Sequence, residues 1–183
     1  LFLPEQPKSI AIRINAGELP VEHWVNDPDI GGGRIIGEAC HFIDLAMYLA
    51  GSKIISVFAS SMDDANKLNN SAAINLKFKN GSVASVNYFS NGSKKIPKEQ
   101  IEVFCGGSVA KIDDFKTLTI FGKSVKRIKF KGQDKGHSAE MAIFLNSIRE
   151  GKSCPIPFQE IYLSTLATFK VLESIKTGRN ILL

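Results

Sequence analysis

Seven short stretches between residues 54 and 130 have the composition of β-strands, and three pairs of them meet at glycine-containing turns. The pairs join at Asn80-Gly81, Gly106-Gly107 and Gly122-Lys123, which suit the positive φ angles of two-residue hairpins. Strands joined by such turns run antiparallel. The chain is therefore constrained to a mostly antiparallel sheet, built from residues 54–60, 72–79, 82–89, 99–105, 108–113, 116–121 and 124–130.

A further strand precedes this run and two helices follow it. Residues 8–16 alternate apolar and polar or small side chains, as in a half-buried strand. Residues 138–150 and 158–177 are amphipathic, and a glycine follows each segment. We therefore predict a single α+β domain over residues 1–183, with an open, mostly antiparallel sheet of about eight strands and helices on one face. The apolar positions predicted to share one helix face are Met141, Phe144, Leu145 and Ile148 in the first helix, and Tyr162, Leu166, Phe169 and Leu172 in the second.

A glycine-rich turn leads into another predicted helix, in the stretch GGGRIIGEACHFIDLAMYLAG at residues 31–51. At about 100° per residue, four polar side chains of this helix fall within one arc of roughly 120°. The other positions are apolar nearly all round, which is typical of a buried helix. The polar stripe must therefore face a polar environment. Its members are Glu38, His41, Asp44 and Tyr48.

Composition excludes several classes of protein. The three cysteines are widely spaced and form no CxxC pair, so they indicate neither a disulfide framework nor a zinc site, and we expect a reducing, cytoplasmic location. No apolar run is long enough to span a membrane. The net charge of +5 comes largely from lysines between residues 111 and 135, where alternation favours a strand with one solvated face over a nucleic-acid site. Because Leu1 is not a methionine, we expect a piece of a longer protein.

The glycine-rich turn does not match the common nucleotide-binding motifs. In the phosphate-loop pattern GxxxxGK[ST], Glu38 stands where the lysine belongs. In the dinucleotide pattern GxGxxG, Ile36 occupies the place of the third glycine. We expect the turn instead to bring the backbone close to a ligand or another domain, and to aim Glu38 and His41.

His41 is the strongest candidate for chemistry, because an imidazole exchanges protons near neutral pH and the neighbouring carboxylates could orient it. Two alternatives stay open at this stage. His41 could be a structural histidine with a satisfied hydrogen bond, or it could bind a metal together with Glu38. No third ligand is predicted nearby, so we predict no metal site. His137 lies where a helix is predicted to start, and a structural role there is equally compatible with the sequence.

The stretch at residues 31–51 resembles the start of the C-terminal domain of the Gfo/Idh/MocA family of nicotinamide-dependent oxidoreductases. The leading PKSIAIRINAG, the DKGH segment and the closing ESIKTGRNILL occur in the order expected of that family. The EACH form, with YFSNGSKKIPKE and DKGH, is similar to members fused to a zinc-type alcohol dehydrogenase unit in bacterial surface-polysaccharide gene sets.

The resemblance implies a dihydrodipicolinate-reductase-like C-terminal domain that shapes a substrate site and mediates oligomerisation. An N-terminal Rossmann domain, absent from this chain, would bind NAD or NADP. The histidine of the family's Asp-x-x-x-His motif falls on His41, but Gly37 occupies the aspartate position and the acidic residue comes one place later, as Glu38.

We therefore predict part of an oxidoreductase that transfers a hydride to or from a sugar or nucleotide-sugar hydroxyl, inactive without its Rossmann domain and forming a homo-oligomer through the open sheet face. The alternative is a non-catalytic carbohydrate-binding or scaffold domain with the same fold. We predict neither a nucleic-acid nor a membrane partner. The predicted site residues are His41, Glu38 and Asp44 for catalysis, Tyr48, Arg34 and Trp24 for substrate binding and, by family analogy, Gly32 and Gly33 for cofactor contact.

Overall fold

The computed structural model describes residues 6–20, 22–63 and 68–183. Val21, in the loop that precedes the glycine-rich turn, lies outside the described residues, as do Leu1 and its neighbours. The described part forms a nine-stranded sheet with helices on one face, which confirms the α+β prediction. The strands are β1 (Ser9–Asn15), β2 (Ile54–Ser61), β3 (Ala72–Phe78), β4 (Val83–Phe89), β5 (Glu99–Cys105), β6 (Ser108–Asp113), β7 (Thr117–Phe121), β8 (Val125–Lys129) and β9 (Ile181–Leu182).

All eight predicted strands are present, and the short β9 adds a ninth at one edge. The order across the sheet is β8-β7-β6-β5-β1-β4-β3-β2-β9. Two antiparallel meanders, β2–β4 and β5–β8, therefore lie on either side of β1. β1 is parallel to β4 and antiparallel to β5. The sheet is thus mostly antiparallel, with its first strand at the centre.

The predicted hairpins form where their turn residues allow. Gly106 and Gly107 both have positive φ angles, 54° and 74°, and join β5 to β6. Asn80-Gly81 joins β3 to β4 in the same antiparallel way. Side chains alternate as expected along β3, where Ile74 and Leu76 are buried while Asn75 is exposed. One face of the sheet therefore supplies the core, and the other is open.

The described residues form three α-helices, α1 (Cys40–Ala50), α2 (His137–Arg149) and α3 (Phe158–Thr177). α1 ends at Gly51, which adopts the left-handed conformation with φ 63°. The core is formed between the sheet and helices α1 and α3; it includes Ile12, Ile14, Ile35, Ile43, Val57, Ile74, Phe78, Val86, Ile101 and Val171.

The buried face of α3 is not the face predicted from its large apolar residues. Tyr162 and Phe169 are exposed, whereas the buried positions are mostly small. Ser174 accepts a hydrogen bond from the Ala59 amide of β2 at 2.9 Å, so the helix packs closely on that strand. Close approach of this kind requires small side chains; the buried residues are Ser164, Ala167, Thr168, Val171 and Ser174.

Helix α2 contributes none of its residues to the core. Its predicted apolar face is formed, but that face is solvent exposed over the whole helix. The exposed side chains include Met141, Phe144 and Ile148. Such a contiguous apolar surface is typical of an interaction site.

The lysine-rich run at residues 125–129 forms β8, the outermost strand at one edge of the sheet. Charged side chains on an edge strand discourage pairing with other chains. No helix of the described residues is long and apolar enough to cross a membrane.

Candidate functional site

The polar stripe is positioned by a break in regular helix geometry directly before α1. Ile35–Ala39 forms a π-helical turn, and α1 continues from Cys40. Such turns insert an extra residue into the helix and are frequent at functional sites. Ile35 and Ala39 are fully buried, so the apolar side anchors the turn while Glu38 lies on the more accessible side.

The glycine-rich turn holds this segment against the neighbouring loops. Gly33 has a φ of 87°, and a Cβ at this position would lie 2.9 Å from the Leu68 carbonyl oxygen. At Gly31 a Cβ would overlap the backbone of Val25. The turn therefore requires glycine for close packing on neighbouring loops of this chain, and its approach to a ligand or another domain stays a prediction.

The stripe lines one wall of an open cleft of about 730 Å³. All four of its members contribute, so the structure brings together the residues that the helical spacing predicted. His41, Asp44 and Tyr48 are exposed and Glu38 is half-buried. The full lining is Glu38, His41, Phe42, Asp44, Leu45, Met47, Tyr48, Lys98, Glu99, Phe115, Lys135, His137, Glu140, Ile156 and Glu160.

Glu38 is held in place by two basic residues. Arg34 donates to Glu38 Oε1 from Nε at 3.1 Å and from Nη2 at 3.0 Å, and Lys98 Nζ lies 3.6 Å from Oε2. Arg34 is itself only 4% exposed and donates a further hydrogen bond to the Gly17 carbonyl at 2.6 Å. The buried Arg34 therefore fixes the carboxylate of Glu38, which remains accessible at the cleft.

Tyr88 completes this buried group of side chains. The Arg34 guanidinium lies over its ring, 5.4 Å from the ring centroid. Its hydroxyl is fully buried and no described residue gives it a hydrogen bond of good geometry. The Tyr88 hydroxyl is nevertheless close enough to influence Glu38. Burial acts to raise the pKa of the Glu38 carboxyl. The Tyr88 hydroxyl and the positive charges of Arg34 and Lys98 outweigh this effect, so the pKa of Glu38 is lowered. Burial and the nearby Glu38 raise the pKa of Tyr88. Glu38 is thus ionised and Tyr88 neutral near pH 7.

His41 has an accessible imidazole with polar neighbours. Among the described residues, none is hydrogen bonded to its ring, so neither Glu38 nor Asp44 orients it in this structure. The imidazole is free to meet a hydroxyl that enters the cleft. Hydrogen bonds to a catalytic group commonly form only when substrate is bound.

The remaining predicted residues lie outside the cleft. Arg34 is buried behind Glu38 and supports that carboxylate. Trp24 is 60% exposed in a short turn beside His23. Gly32 and Gly33 pack toward Ile36 and Leu68. Contact of these residues with a substrate or cofactor stays a prediction.

Sequence reasoning missed the residues that segments outside α1 contribute to the cleft. Lys98 comes from the loop before β5, and Lys135 from the segment before α2. Lys135 Nζ lies 2.6 Å from Oε1 of Glu99, a carboxylate that is only 1% exposed. His137, noted as a helix-start residue, does begin α2 and also lines the cleft. The pattern of β5 could have identified Glu99, since it falls on the apolar, inward side of that strand.

No group of three or more histidine, cysteine, aspartate or glutamate side chains within the described ranges could hold a metal ion. The cleft instead combines an apolar wall, from Phe42, Leu45 and Met47, with an imidazole and several charged groups. An apolar surface beside convergent polar groups is typical of sites for small organic ligands. The cleft therefore presents the exposed imidazole of His41 beside apolar and charged side chains.

Comparison with known proteins agrees with this architecture. The structure is similar to levoglucosan dehydrogenase in complex with NADH and levoglucosan, with a TM-score of 0.82 and 18% identity over 96% of this chain and 58% of that one. It is also similar to UDP-N-acetylglucosamine 3-dehydrogenase GnnA of Acidithiobacillus ferrooxidans, with a TM-score of 0.77 and 19% identity over 93% of this chain and 54% of that one. The WlbA dehydrogenase of Bordetella pertussis, in complex with NADH and UDP-GlcNAcA, has a TM-score of 0.68 and 18% identity over 94% of this chain and 54% of that one. At these identities the likeness establishes the fold.

The chain spans little more than half the length of these solved structures. No curated protein sequence matches it significantly. The family model described as the GFO/IDH/MocA C-terminal domain matches residues 6–108. This region contains the glycine-rich turn, α1 and strands β1–β5. The chain therefore belongs to the GFO/IDH/MocA C-terminal domain family.

Proposed function

We propose that this chain is the substrate-binding domain of an NAD(P)-dependent dehydrogenase that acts on a hydroxyl of a sugar or nucleotide sugar. The observation that carries the proposal is the cleft itself, which is lined by the accessible His41 and the ionised Glu38, together with Lys98 and Lys135. Structural neighbours that contain NADH with a sugar or a nucleotide sugar support the substrate class.

In the proposed reaction the His41 imidazole takes a proton from the substrate hydroxyl during oxidation, or returns it during reduction. When bound, the nicotinamide ring supplies the hydride acceptor or donor. Glu38 is fixed by Arg34 and Lys98, so it offers a rigid acceptor for a second substrate hydroxyl. Asp44, one turn after His41 and exposed, is the carboxylate free to steady the imidazolium.

The exposed face of α2 supports a second domain as partner. An N-terminal Rossmann domain docked on this face would cover its apolar side chains and bring the cofactor to the cleft, which α2 borders through His137 and Glu140. Ile156 and Phe158, which follow α2 along the chain, are large apolar side chains that are also exposed. Because the cofactor would bind mainly on that domain, we expect the 183-residue chain alone to be inactive.

Exposed apolar side chains on the open face of the sheet support the proposal that the protein forms a homo-oligomer. Phe58, Val83 and Phe104 are each about 40% exposed there, on three different strands. They surround a shallow depression of about 350 Å³ to which polar residues also contribute. A second copy seated on this face would bury them.

The cellular location and biosynthetic role that we propose depend on sequence resemblance. The EACH, YFSNGSKKIPKE and DKGH segments are similar to members fused to a zinc-type alcohol dehydrogenase, which supports a cytoplasmic role in surface-polysaccharide biosynthesis. The three cysteines are free, as a reducing compartment would require.

The test is substrate-dependent NAD(P)H formation by the full-length protein, screened against sugars and nucleotide sugars. His41→Ala should lower kcat about 10²- to 10⁴-fold, since that is the usual contribution of a positioned acid–base group. His23→Ala is the matched control, because His23 lies in an outer turn beside Trp24 and does not line the cleft.

Unchanged turnover in His41→Ala would contradict the proposed role of this imidazole. Saturable sugar binding by a full-length protein that shows no turnover would favour the alternative, a non-catalytic carbohydrate-binding domain.

A further inference from the structure

A second depression adjoins the proposed active site and is strongly basic. It has a volume of about 600 Å³ and shares Lys98 and Lys135 with the cleft that contains His41. Five lysines line it, whereas Asp114 is its only acidic lining residue among those the structure describes. We refer to it as the lysine pocket; its lining residues are Asn15, Ala16, Lys94, Lys95, Ile96, Pro97, Lys98, Asp114, Lys116, Gln133 and Lys135.

Three of the five ammonium groups already have an acidic partner. Lys116 lies 2.6 Å from Asp114, Lys135 lies 2.6 Å from Glu99 and Lys98 lies 3.6 Å from Glu38. In the described part of the chain, Lys94 and Lys95 form no such pair. The excess positive charge of the pocket therefore resides on these two neighbouring lysines.

The loop that carries Lys94 and Lys95 is packed onto the end of β1. Asn15 donates from Nδ2 to the Ser93 carbonyl at 2.7 Å, and a Cβ on Gly92 would lie 1.8 Å from Asn15 Oδ1. Only a glycine permits this approach. The two unpaired lysines are thus presented from a fixed backbone, and the pocket requires little reorganisation to receive an anion.

The same loop is connected to the proposed catalytic residues. The side chain of Lys94 packs against Gly17, where a Cβ would lie 2.8 Å from Lys94 Cγ. The carbonyl of Gly17 accepts the 2.6 Å hydrogen bond from Arg34, which in turn holds Glu38. A ligand that spans both depressions would therefore contact Glu38 and His41 at one end and the lysines at the other.

We infer that the lysine pocket binds the phosphate groups of a substrate whose sugar lies in the adjoining cleft. A diphosphate diester carries one negative charge on each phosphate, which matches the two lysines without acidic partners. Lysine provides compact charge and several donors, and phosphate oxygens accept such charge-assisted hydrogen bonds strongly. The inference deepens the proposed function, on which it rests, by selecting nucleoside-diphosphate sugars over unmodified sugars.

The direct test is calorimetric titration of the 183-residue chain with pyrophosphate, a probe that needs neither cofactor nor turnover. The double variant Lys94→Gln/Lys95→Gln should weaken binding about tenfold or more, because two charge-assisted contacts are lost. The matched control is Lys126→Gln/Lys129→Gln on the exposed edge strand β8, which removes the same charge away from the pocket. This control should bind pyrophosphate nearly as well as the unmodified chain.

Competition experiments separate the two sources from which a phosphate could come. Uridine diphosphate should displace pyrophosphate, whereas 2′,5′-ADP, which carries the extra phosphate of NADP, should compete less well. Equal loss of binding in both double variants, absence of pyrophosphate binding, or stronger competition by 2′,5′-ADP would each overturn the assignment. Because the titration measures no turnover, its failure is distinguishable from failure of the proposed dehydrogenase activity.

Discussion

Arg34 offers a stringent test of how the proposed site is held together. The guanidinium is almost completely buried and donates three hydrogen bonds, two to Glu38 Oε1 and one to the Gly17 carbonyl. Arg34→Met retains much of the side chain's apolar length but removes all three donors. Of its two basic partners, Glu38 then keeps the more distant Lys98, at 3.6 Å.

The expected loss of stability follows from these contacts. A hydrogen bond to a charged group contributes about 1.5 to 3 kcal/mol, and removing one partner of a buried pair costs about 3 to 5 kcal/mol. Glu38 is 28% exposed and retains Lys98, which reduces the penalty. We expect Arg34→Met to lower the free energy of unfolding by about 3 kcal/mol.

Urea unfolding at pH 7, followed by circular dichroism, measures this loss. Arg149→Met is the matched control, since Arg149 is exposed at the end of α2 and its replacement should cost under about 1 kcal/mol. In the double variant Arg34→Met/Glu38→Gln the losses should be less than additive by about 1 to 2 kcal/mol. Equal costs for the Arg34 and Arg149 variants, or full additivity in the double variant, would refute the reasoning.

Two further predictions concern titratable groups. Because the pKa of Glu38 in the folded chain is below its ordinary value of 4.5, its contribution to stability is complete above that pH and is lost as the pH falls through the folded-state pKa. Glu38→Gln should therefore flatten the acid limb of the stability profile measured by urea unfolding, and an unchanged limb would contradict this. Burial raises the pKa of the Cys40 thiol, so at pH 7.5 an alkylating reagent should modify the exposed Cys154 at least about tenfold faster than Cys40, as peptide mass spectrometry would show. Comparable rates would argue against the burial of Cys40.

The strands were predictable because the information that specifies them is local. A turn such as Gly106-Gly107 identifies its hairpin within a few residues, and each of the three predicted hairpins is present. The position of β1 was not predictable in this way. Its pairing with β4 joins Ser9 to Val83, and no local signal specifies a parallel neighbour so distant along the chain. β9 has two residues, too few for a detectable alternation.

The candidate site, like the sheet, has a part that local sequence predicts and a part that depends on the fold. Helical spacing alone placed Glu38, His41 and Asp44 on one wall of the cleft. Lys98 and Lys135 reach the cleft from separate loops, and only the folded sheet brings them there. The exposed apolar face of α2 was equally hidden, since periodicity shows that a face exists but not what covers it.

The central place of β1 has a consequence for the order in which the domain can assemble. β1 precedes the other strands of this sheet along the chain, yet both of its partners follow much later, since Ser9 pairs with Val83 on one side and Phe104 on the other. Non-local pairing of this kind slows folding. Until β1 is inserted, the two meanders each retain an unpaired edge at β4 and β5, where another chain could add a strand. Residues 9–15 therefore act as the closing strand of the sheet, and expression designs that omit them should yield two separate meanders prone to aggregation.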